Sequence, residues 1–215
     1  GAVSIDLTVD DRRGTTTVDQ GAGGVLTATA TTVVTVVPVN DPPVNTVPGT
    51  LTGIREDTPF TFSGTNRFSV SDVDVNGNPV AADRLMTVTL TAQHGVLTLG
   101  DATTRAAVTF DAGDGVGDAT VTVTGTLAQL QALLATVTYQ GNANVNGTDS
   151  ITITTNDRGN YGTGGPLQDV DTVTFTVEAV NDAPTANSTA AVVLTPVAED
   201  VAGTDNGGAL VGDLF

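Results

Sequence analysis

The 215-residue sequence predicts an all-β fold, an antiparallel β-sandwich repeat with one short helix in a tandem array. Three observations predict it. Thr and Val alternate along much of the chain, and a period of two puts one set of side chains on the buried face of a strand. A hydrophobic fraction of 39% is sufficient for a globular core. Finally, several segments recur at a nearly constant spacing, as they do in repeat architectures.

The recurring segments define a repeat of about 140 residues. Chance similarity within a sequence of low diversity is the alternative, but the matches occur in the same order. They join residues 1–11 with 147–157 at an offset of 146, residues 39–43 with 180–184 at an offset of 141, and residues 56–57 with 199–200 at an offset of 143. We therefore divide the chain into residues 1–43, the C-terminal strands of a preceding repeat plus a linker; residues 44–184, a complete repeat; and residues 185–215, the start of the following repeat.

The first half of the complete repeat reads as short strands and turns. Residues 85–92 and 96–99 alternate strictly on either side of His94-Gly95, which predicts a tight hairpin with His94 in a turn role. The other predicted strands of this half are residues 46–54, 58–63, 106–110 and 119–124, the last two separated by a Gly/Asp loop over residues 111–118.

The second half contains the helix. Thr126 is a suitable N-cap, and Leu127, Leu130, Leu133 and Leu134 fall on one helical face. The remaining predicted strands cover residues 136–140, 150–155 and 171–179, and Tyr139 is predicted to be a core residue because it alternates with Val137. In the preceding repeat, strands are predicted at residues 4–10 and 31–37.

Charge and composition exclude several classes of function. A formal net charge of -17 repels nucleic-acid phosphates and anionic lipid. No apolar run reaches the roughly 20 residues of a membrane span, so we expect no membrane insertion. With no Cys and one His, thiolate catalysis and Cys- or His-rich metal centres are excluded. No nucleophile–base pair stands out either, so we expect a protein that is not an enzyme.

The strand directions predict that acidic loops gather at the two ends of the repeat. The last strand runs towards the C-terminal linker, its partner runs back, and the first strand starts at the linker before residue 44. The side chains expected at the N-terminal pole are Asn40, Asp41, Asp72, Asp74 and Asp157. Those expected at the C-terminal pole are Glu56, Asp57, Asp149, Asn181 and Asp182. Carboxylates this close would repel one another, and Ca²⁺, which takes 6–8 oxygen ligands, would relieve the repulsion.

One loop strengthens the calcium hypothesis. Residues 72–83 begin Asp72-x-Asp74-x-Asn76-Gly77 and end at Asp83, close to the EF-hand loop pattern but with Asp in place of the final Glu. Alternating oxygens would converge on one ion, and Gly77 would permit the sharp turn. The alternative is an Asx-rich turn without metal, which is also the preferred interpretation of the acidic loop at residues 111–118.

Taken together, these motifs resemble cadherin-like repeats of the VCBS type. The similarity lies in VNDPP and VNDAP, in SDVD at residues 71–74, in HGVLTL at 94–99, in TYQGNANVNGTDSITI at 138–153 and in NDRG at 156–159. Such repeats form the stalks of large bacterial surface adhesins, often of the RTX type, and the similarity extends to chondroitin-sulfate-proteoglycan repeats. The resemblance implies a secreted or cell-surface, extracellular protein with a role in cell adhesion or biofilm, whose Ca²⁺ ions stiffen a rod.

The resemblance also implies which residues bind the ions. By similarity to cadherins, the ligands fall on Glu56, on Asp72 and Asp74, on Asp157, and on the linker pairs Asn40-Asp41 and Asn181-Asp182. Asp149 is included by position only. Val39 and Val180 precede a bare Asn-Asp, so the full cadherin linker motif is absent.

The first hypothesis is therefore a calcium-stabilised stalk repeat, with neighbouring repeats as its partners. The sequence leaves two other functions open. One is an adhesive module that binds a host or cell-surface glycan or protein, for which Tyr161 is the exposed aromatic candidate. The other is a filament subunit that assembles by strand addition to the unpaired strands at residues 4–10 and 31–37.

Overall fold

The computed structural model of this chain describes residues 2–10, 27–75, 84–159 and 162–184. The chain divides into two compact units, residues 1–179 and residues 180–215. The second unit is described over residues 180–184, which form no regular secondary structure. The fold presented below is that of the first unit.

Fourteen strands and two helices lie in the described residues. The strands are β1 (Ala2–Asp10), β2 (Thr27–Thr35), β3 (Val44–Thr46), β4 (Ile54–Arg55), β5 (Phe60–Phe62), β6 (Ser69–Ser71), β7 (Leu85–Ala92), β8 (Gly95–Leu99), β9 (Thr109–Ala112), β10 (Val116–Asp118), β11 (Thr120–Thr126), β12 (Val137–Gly141), β13 (Gly147–Asn156) and β14 (Gln168–Glu178). The helices are α1 (Ala102–Ala106) and α2 (Leu127–Leu134). The prediction of an all-β fold with antiparallel sheets is confirmed.

Two large sheets supply most of the core. One has six strands in the order β4-β14-β13-β7-β11-β9, and the other has four in the order β10-β8-β12-β5. Ile151 and Leu90 from the first sheet and Leu97 and Phe62 from the second are fully buried in the same core cluster. Two two-stranded sheets, β3-β6 and β1-β2, complete the described strands. Neither helix in the described part of the chain has the length and apolar character needed to cross a bilayer.

The Thr/Val alternation sorts the two faces of the six-stranded sheet. Along β7 the even positions Met86, Val88 and Leu90 are fully buried, while the threonines between them are only partly buried or exposed. The threonines pair across strands: the hydroxyl oxygens of Thr89 and Thr122 lie 2.9 Å apart. Such pairs stabilise neighbouring strands of a sheet, which explains the Thr-rich outer face.

The predicted hairpin at residues 85–99 is wrong. β7 pairs with β11 and β13 in the six-stranded sheet, whereas β8 pairs with β12 and β10 in the four-stranded sheet. The short connection through Gln93 and His94 therefore carries the chain from one sheet to the other. Strict alternation identifies both strands correctly, but it carries no information about which strand is the partner.

The predicted strand at residues 46–54 is divided into two short strands. β3 pairs antiparallel with β6, and β4 pairs parallel with β14. Pro48 lies between them and lacks a backbone N–H, and Gly53 has φ of 75°, a conformation that strands do not use. These two residues interrupt the strand, and the chain changes its partner.

The helix after Thr126 is confirmed, and a second one was missed. Thr126 caps α2, in which Leu130, Leu133 and Leu134 are buried. α1 replaces the start of the strand predicted at residues 106–110, so the prediction of a single helix is wrong. Asp101 caps α1, and its hydrogen bonds with Thr104 lower the pKa of the Asp101 carboxyl. No apolar periodicity marks this five-residue helix, which is held by its capping box.

Candidate metal centre at the N-terminal pole

The five residues predicted for the N-terminal pole are linked by hydrogen bonds, four through their side chains and Asp41 through its backbone N–H. Asn40 Nδ2 donates to Asp157 Oδ2 over 2.6 Å, and the backbone N–H of Asp41 donates to Asp74 Oδ2 over 2.6 Å. The backbone N–H of Asp74 in turn donates to Asp72 Oδ1 over 2.8 Å. Residues that are up to 117 positions apart in sequence are thus brought to one end of the repeat.

Asp157 is the most deeply engaged acid of this pole. Its side chain is buried, and its Oδ1 accepts the backbone N–H groups of Gly159 and Leu167, each over 2.8 Å. With Asn40 on the other oxygen, one carboxylate connects the linker to the loop that joins β13 and β14. Asp157 therefore stabilises both the β13–β14 loop and the contact between this loop and the linker that follows β2.

Asp72 is an acid of this pole whose pKa is perturbed by its surroundings. Its Oδ1 accepts the N–H groups of Asp74 and Val75, which favours the ionised form. Burial acts in the opposite direction and is the largest effect, and the negative charges of Asp157 and Asp74 add to it, so the pKa of Asp72 is raised above its ordinary value. A cation beside Asp72 would favour its ionised form and act against this rise.

The donor set suits a hard cation, although it does not form a closed cage. Carboxylate and amide oxygens are the ligands that Ca²⁺ prefers, and Asn40, Asp72, Asp74 and Asp157 supply such oxygens. Within the part of the chain that the structure describes, no group of three His, Cys, Asp or Glu side chains is arranged to hold a metal. Several of the oxygens accept N–H groups instead. Asn76 and Asp83, the other predicted ligands of the loop at residues 72–83, lie outside the described residues.

The linker itself is fixed by the backbone of the β13–β14 loop. Val39 and Thr163 form a parallel bridge, with the N–H of Asn40 donating to Thr163 O and the N–H of Thr163 donating to Pro38 O, each over 3.0 Å. Asn40 Nδ2 also donates to Gly165 O over 3.0 Å. This contact was not predictable from the sequence, because no local motif marks a pairing between segments more than 120 residues apart.

Gly162 offers a test of this linker contact. A Cβ on Gly162, whose φ is 97°, would lie 2.6 Å from both Asn40 N and Val39 C. We expect Gly162→Ala to lower the free energy of unfolding by roughly 2–3 kcal/mol through overpacking and backbone strain, and to speed exchange of the Asn40 amide. Gly165→Ala is the matched control, because φ there is 75° but no atom lies within 4 Å of a Cβ. Equal effects of the two variants, measured by urea denaturation, would show that the contact is unimportant.

The acids predicted for the C-terminal pole do not form a comparable network among the described residues. Glu56 is buried and accepts Asn146 Nδ2 over 3.1 Å, whereas Asp57 is exposed with a positive φ of 58°. Asn181 and Asp182 belong to the second unit, where both are exposed. The observed contacts therefore place the more connected cluster at the N-terminal pole.

Asp149 lies in an internal cluster instead. Its carboxylate is 1% exposed and accepts Tyr139 OH on one oxygen and the N–H groups of His94 and Ser150 on the other, over 3.2 and 2.7 Å. His94 Nδ1 lies 3.3 Å from Asp149 Oδ1. Burial and the hydrogen bond from its hydroxyl to Asp149 raise the pKa of Tyr139 well above its ordinary value. The cluster ties β12 and β13 to the connection between β7 and β8.

The remaining predicted loop residues have structural roles. The loop predicted at residues 111–118 is shorter than expected, because residues 111–112 end β9 and residues 116–118 form β10. Its tip is an Asx-type turn, in which Asp114 Oδ1 accepts the N–H of Val116, and Asp118 Oδ2 accepts the N–H groups of Asp114 and Gly115. Tyr139 is 1% exposed and is confirmed as a core residue. Tyr161, the aromatic candidate for ligand binding, lies outside the described residues.

Comparison with protein-family models, with curated protein sequences and with solved structures gives no match to this chain.

Proposed function

We propose that this chain is a cadherin-like structural repeat in the stalk of a bacterial adhesin or surface fibre, stiffened by calcium and located outside the cell. One observation carries the proposal: the linker residues Asn40 and Asp41 are hydrogen-bonded directly to Asp157 and Asp74 of the complete repeat. A joint of this kind transmits force between neighbouring repeats instead of acting as a free hinge. The resemblance of the motifs to adhesin stalk repeats supplies the cellular context.

The proposed role of calcium follows from the charges at this joint. When bound, the ion would neutralise the repulsion among Asp72, Asp74 and Asp157, and Asn40 would add an amide oxygen. Because the ligands come from the linker and from two loops of the complete repeat, the ion would favour one orientation of the linker. Protein hydrogen bonds hold the same segments together, so the ion would reinforce a contact that is already formed.

The proposed cadherin-like architecture has support from the sheets. Two sheets contribute to a single core, and the chain passes between them from β4 to β5 and again at the β7–β8 connection. Such crossovers are the usual means by which a two-sheet fold closes around its core.

Thermal unfolding with calcium and with EDTA tests the proposal. A bound ion stabilises the folded state by mass action, by about 2.7 kcal/mol when calcium is at 100 times its Kd. We expect millimolar Ca²⁺ to raise the Tm of the native chain, whereas Mg²⁺, which prefers a rigid octahedral site, should act more weakly. A Tm that is the same in Ca²⁺ and in EDTA would contradict a calcium-stiffened joint.

Asp72→Asn should stabilise the protein in EDTA and destabilise it in calcium. In EDTA at pH 7 the variant should have a higher free energy of unfolding than the native chain. It removes a carboxyl group whose pKa is raised by folding, and its amide oxygen still accepts the N–H groups of Asp74 and Val75. A raised pKa means that the ionised group costs stability above that pKa, so this advantage should shrink as the pH falls and the native Asp72 becomes protonated. In calcium the variant should be the less stable protein.

The matched control is Asp118→Asn. Asp118 also accepts two backbone N–H groups, but they come from Asp114 and Gly115, neither of which belongs to the pole. Its effect on Tm should be the same in both buffers. A calcium response that is reduced equally by Asp72→Asn and Asp118→Asn would indicate nonspecific charge screening and would count against the site.

A further inference from the structure

The hairpin formed by β1 and β2, here called the N-terminal ribbon (residues 2–10 and 27–35), has one apolar face. Alternation along β1 places Val3, Ile5, Leu7 and Val9 on that face, and they are 52, 53, 62 and 56% exposed. The opposite face is mostly polar, with Thr31 Oγ1 donating to Asp6 Oδ1 and with Val33 as its large apolar side chain. In the part of the chain that the structure describes, nothing covers the apolar face. An exposed apolar row of this length marks a surface that docks onto another element.

The complete repeat contains an equivalent of this ribbon, the β13–β14 hairpin. With the offsets of 146 and 141 residues found in the sequence, the register of the two hairpins is the same. Val3 is opposite Val34 in the ribbon, as Asp149 is opposite Phe175, and Ile5 is opposite Thr32, as Ile151 is opposite Val173. The ribbon therefore has the geometry of the last two strands of a repeat.

The equivalent hairpin shows what covers such a face. Ile151 and Ile153 of β13 are fully buried. Phe175 of β14 packs edge-on against Tyr139 and Phe62 of the four-stranded sheet, with ring centroids 5.1 and 6.2 Å apart. The cover over the apolar face is thus a second sheet of the same repeat.

The edge of the equivalent hairpin is paired as well. β13 pairs antiparallel with β7, with Ile151 opposite Ala92 and Ile153 opposite Leu90. In the ribbon, Ile5 and Leu7 occupy these two positions of β13, but β1 has no strand on that edge in the described residues. Among the described residues, the ribbon has neither a sheet over its apolar face nor a strand at the β1 edge.

We propose that the N-terminal ribbon is a docking surface for the body of a repeat of this same type, the equivalent of residues 44–141, joined directly before β1. That body supplies a strand of the β7 type to the β1 edge, with Ile5 opposite the equivalent of Ala92 and Leu7 opposite the equivalent of Leu90. Its four-stranded sheet covers Val3, Ile5, Leu7 and Val34. The inference rests on the tandem-repeat interpretation in the proposed function.

A second copy of the ribbon is the less suitable occupant. Two ribbons packed face to face would cover the apolar side chains but would leave the edges of both β1 strands unpaired, and exposed edges invite further association. A repeat body satisfies the face and the edge together, as the complete repeat does for β13 and β14.

The test is an extended chain in which residues 44–146 are placed directly before residue 1 of the full 215-residue protein. This junction reproduces the one between residues 146 and 147 of the complete repeat, because residue 147 is the equivalent of residue 1. Hydrogen exchange is measured by NMR in the native and extended chains. We expect the β1 amides that do not donate to β2 to exchange at least about 100-fold more slowly in the extended chain, and binding of a hydrophobic dye to fall.

Two variants of the extended chain separate docking from simple stabilisation. Leu7→Asp places a charge on the apolar face and should abolish the protection, whereas the neighbouring Thr8→Asp lies on the polar face and should keep it. Unchanged exchange of β1 in the extended chain, or association of native chains through paired ribbons, would overturn the proposal. Each measurement is made in calcium and in EDTA. Protection of β1 in a chain whose Tm does not respond to calcium would count against the calcium joint only, whereas no protection in either buffer would count against ribbon docking.

Discussion

Replacement of Asp157 by alanine is expected to lower the free energy of unfolding by about 3 kcal/mol. The buried Asp157 carboxylate accepts the N–H groups of Gly159 and Leu167 and the side-chain amide of Asn40, and the substitution leaves all three donors without this acceptor. An unsatisfied buried polar group costs roughly 1–3 kcal/mol, and solvent that enters the space left by the side chain will recover part of the sum. Urea denaturation in EDTA measures the loss without any contribution from calcium.

The effect of Asp157 should be graded by chemistry. Asp157→Asn keeps one oxygen for Gly159 and Leu167 but places an amide opposite the amide of Asn40, so we expect about half the loss seen with alanine. Asp171→Ala, at a half-buried position of β14, is the control and should change stability by less than about 0.5 kcal/mol. Comparable losses for Asp157→Ala and Asp171→Ala would mean that the pole contacts contribute little.

The second large effect is expected at the Asp149 cluster. Asp149→Ala should also cost about 3 kcal/mol, because Tyr139 OH and the N–H groups of His94 and Ser150 lose a buried acceptor. Tyr139→Phe should cost about 2 kcal/mol, since it leaves the buried Asp149 carboxyl group with one donor fewer. These losses should appear with or without calcium, because the cluster is internal to the repeat.

A double-mutant cycle identifies the direct contact. In a protein that already carries Asp149→Ala, Tyr139→Phe should cost less than about 1 kcal/mol, because the hydroxyl has lost its partner. Additive losses would show that Tyr139 and Asp149 stabilise the fold independently, and that the hydrogen bond between them contributes little.

The sequence predicts the strands better than it predicts their partners. Alternation locates β7 and β8 correctly, but the hairpin it suggested does not exist, because period two reports which face is buried and carries no information on pairing. The helix α2 was predictable because Thr126 and the leucine spacing agree. The helix α1 was not, because its sequence ATTRA has no apolar face and its stability comes from the Asp101 cap.

The candidate site was predictable in part, and for a geometric reason. Strand directions follow from the order of the linkers, so Asn40, Asp72, Asp74 and Asp157 could be assigned to one end from sequence alone. The contacts of Thr163 and Gly162 with the linker could not, because they depend on the path of the β13–β14 loop. Asp149 was assigned to the opposite pole from its position, whereas its orientation depends on Tyr139, which lies on a different sheet.

The most direct test of a calcium-stiffened joint is the distance between the N-terminal ribbon and the repeat body. The chain contains no Cys, so spin labels can be attached specifically through Thr29→Cys on β2 and Thr174→Cys on β14, both at exposed positions. Pulsed electron–electron double resonance then measures the distribution of distances between the labels. The account predicts that calcium narrows this distribution relative to EDTA, and that adding Asp72→Asn removes the narrowing. Identical distributions in calcium and EDTA, or narrowing that survives Asp72→Asn, would contradict it.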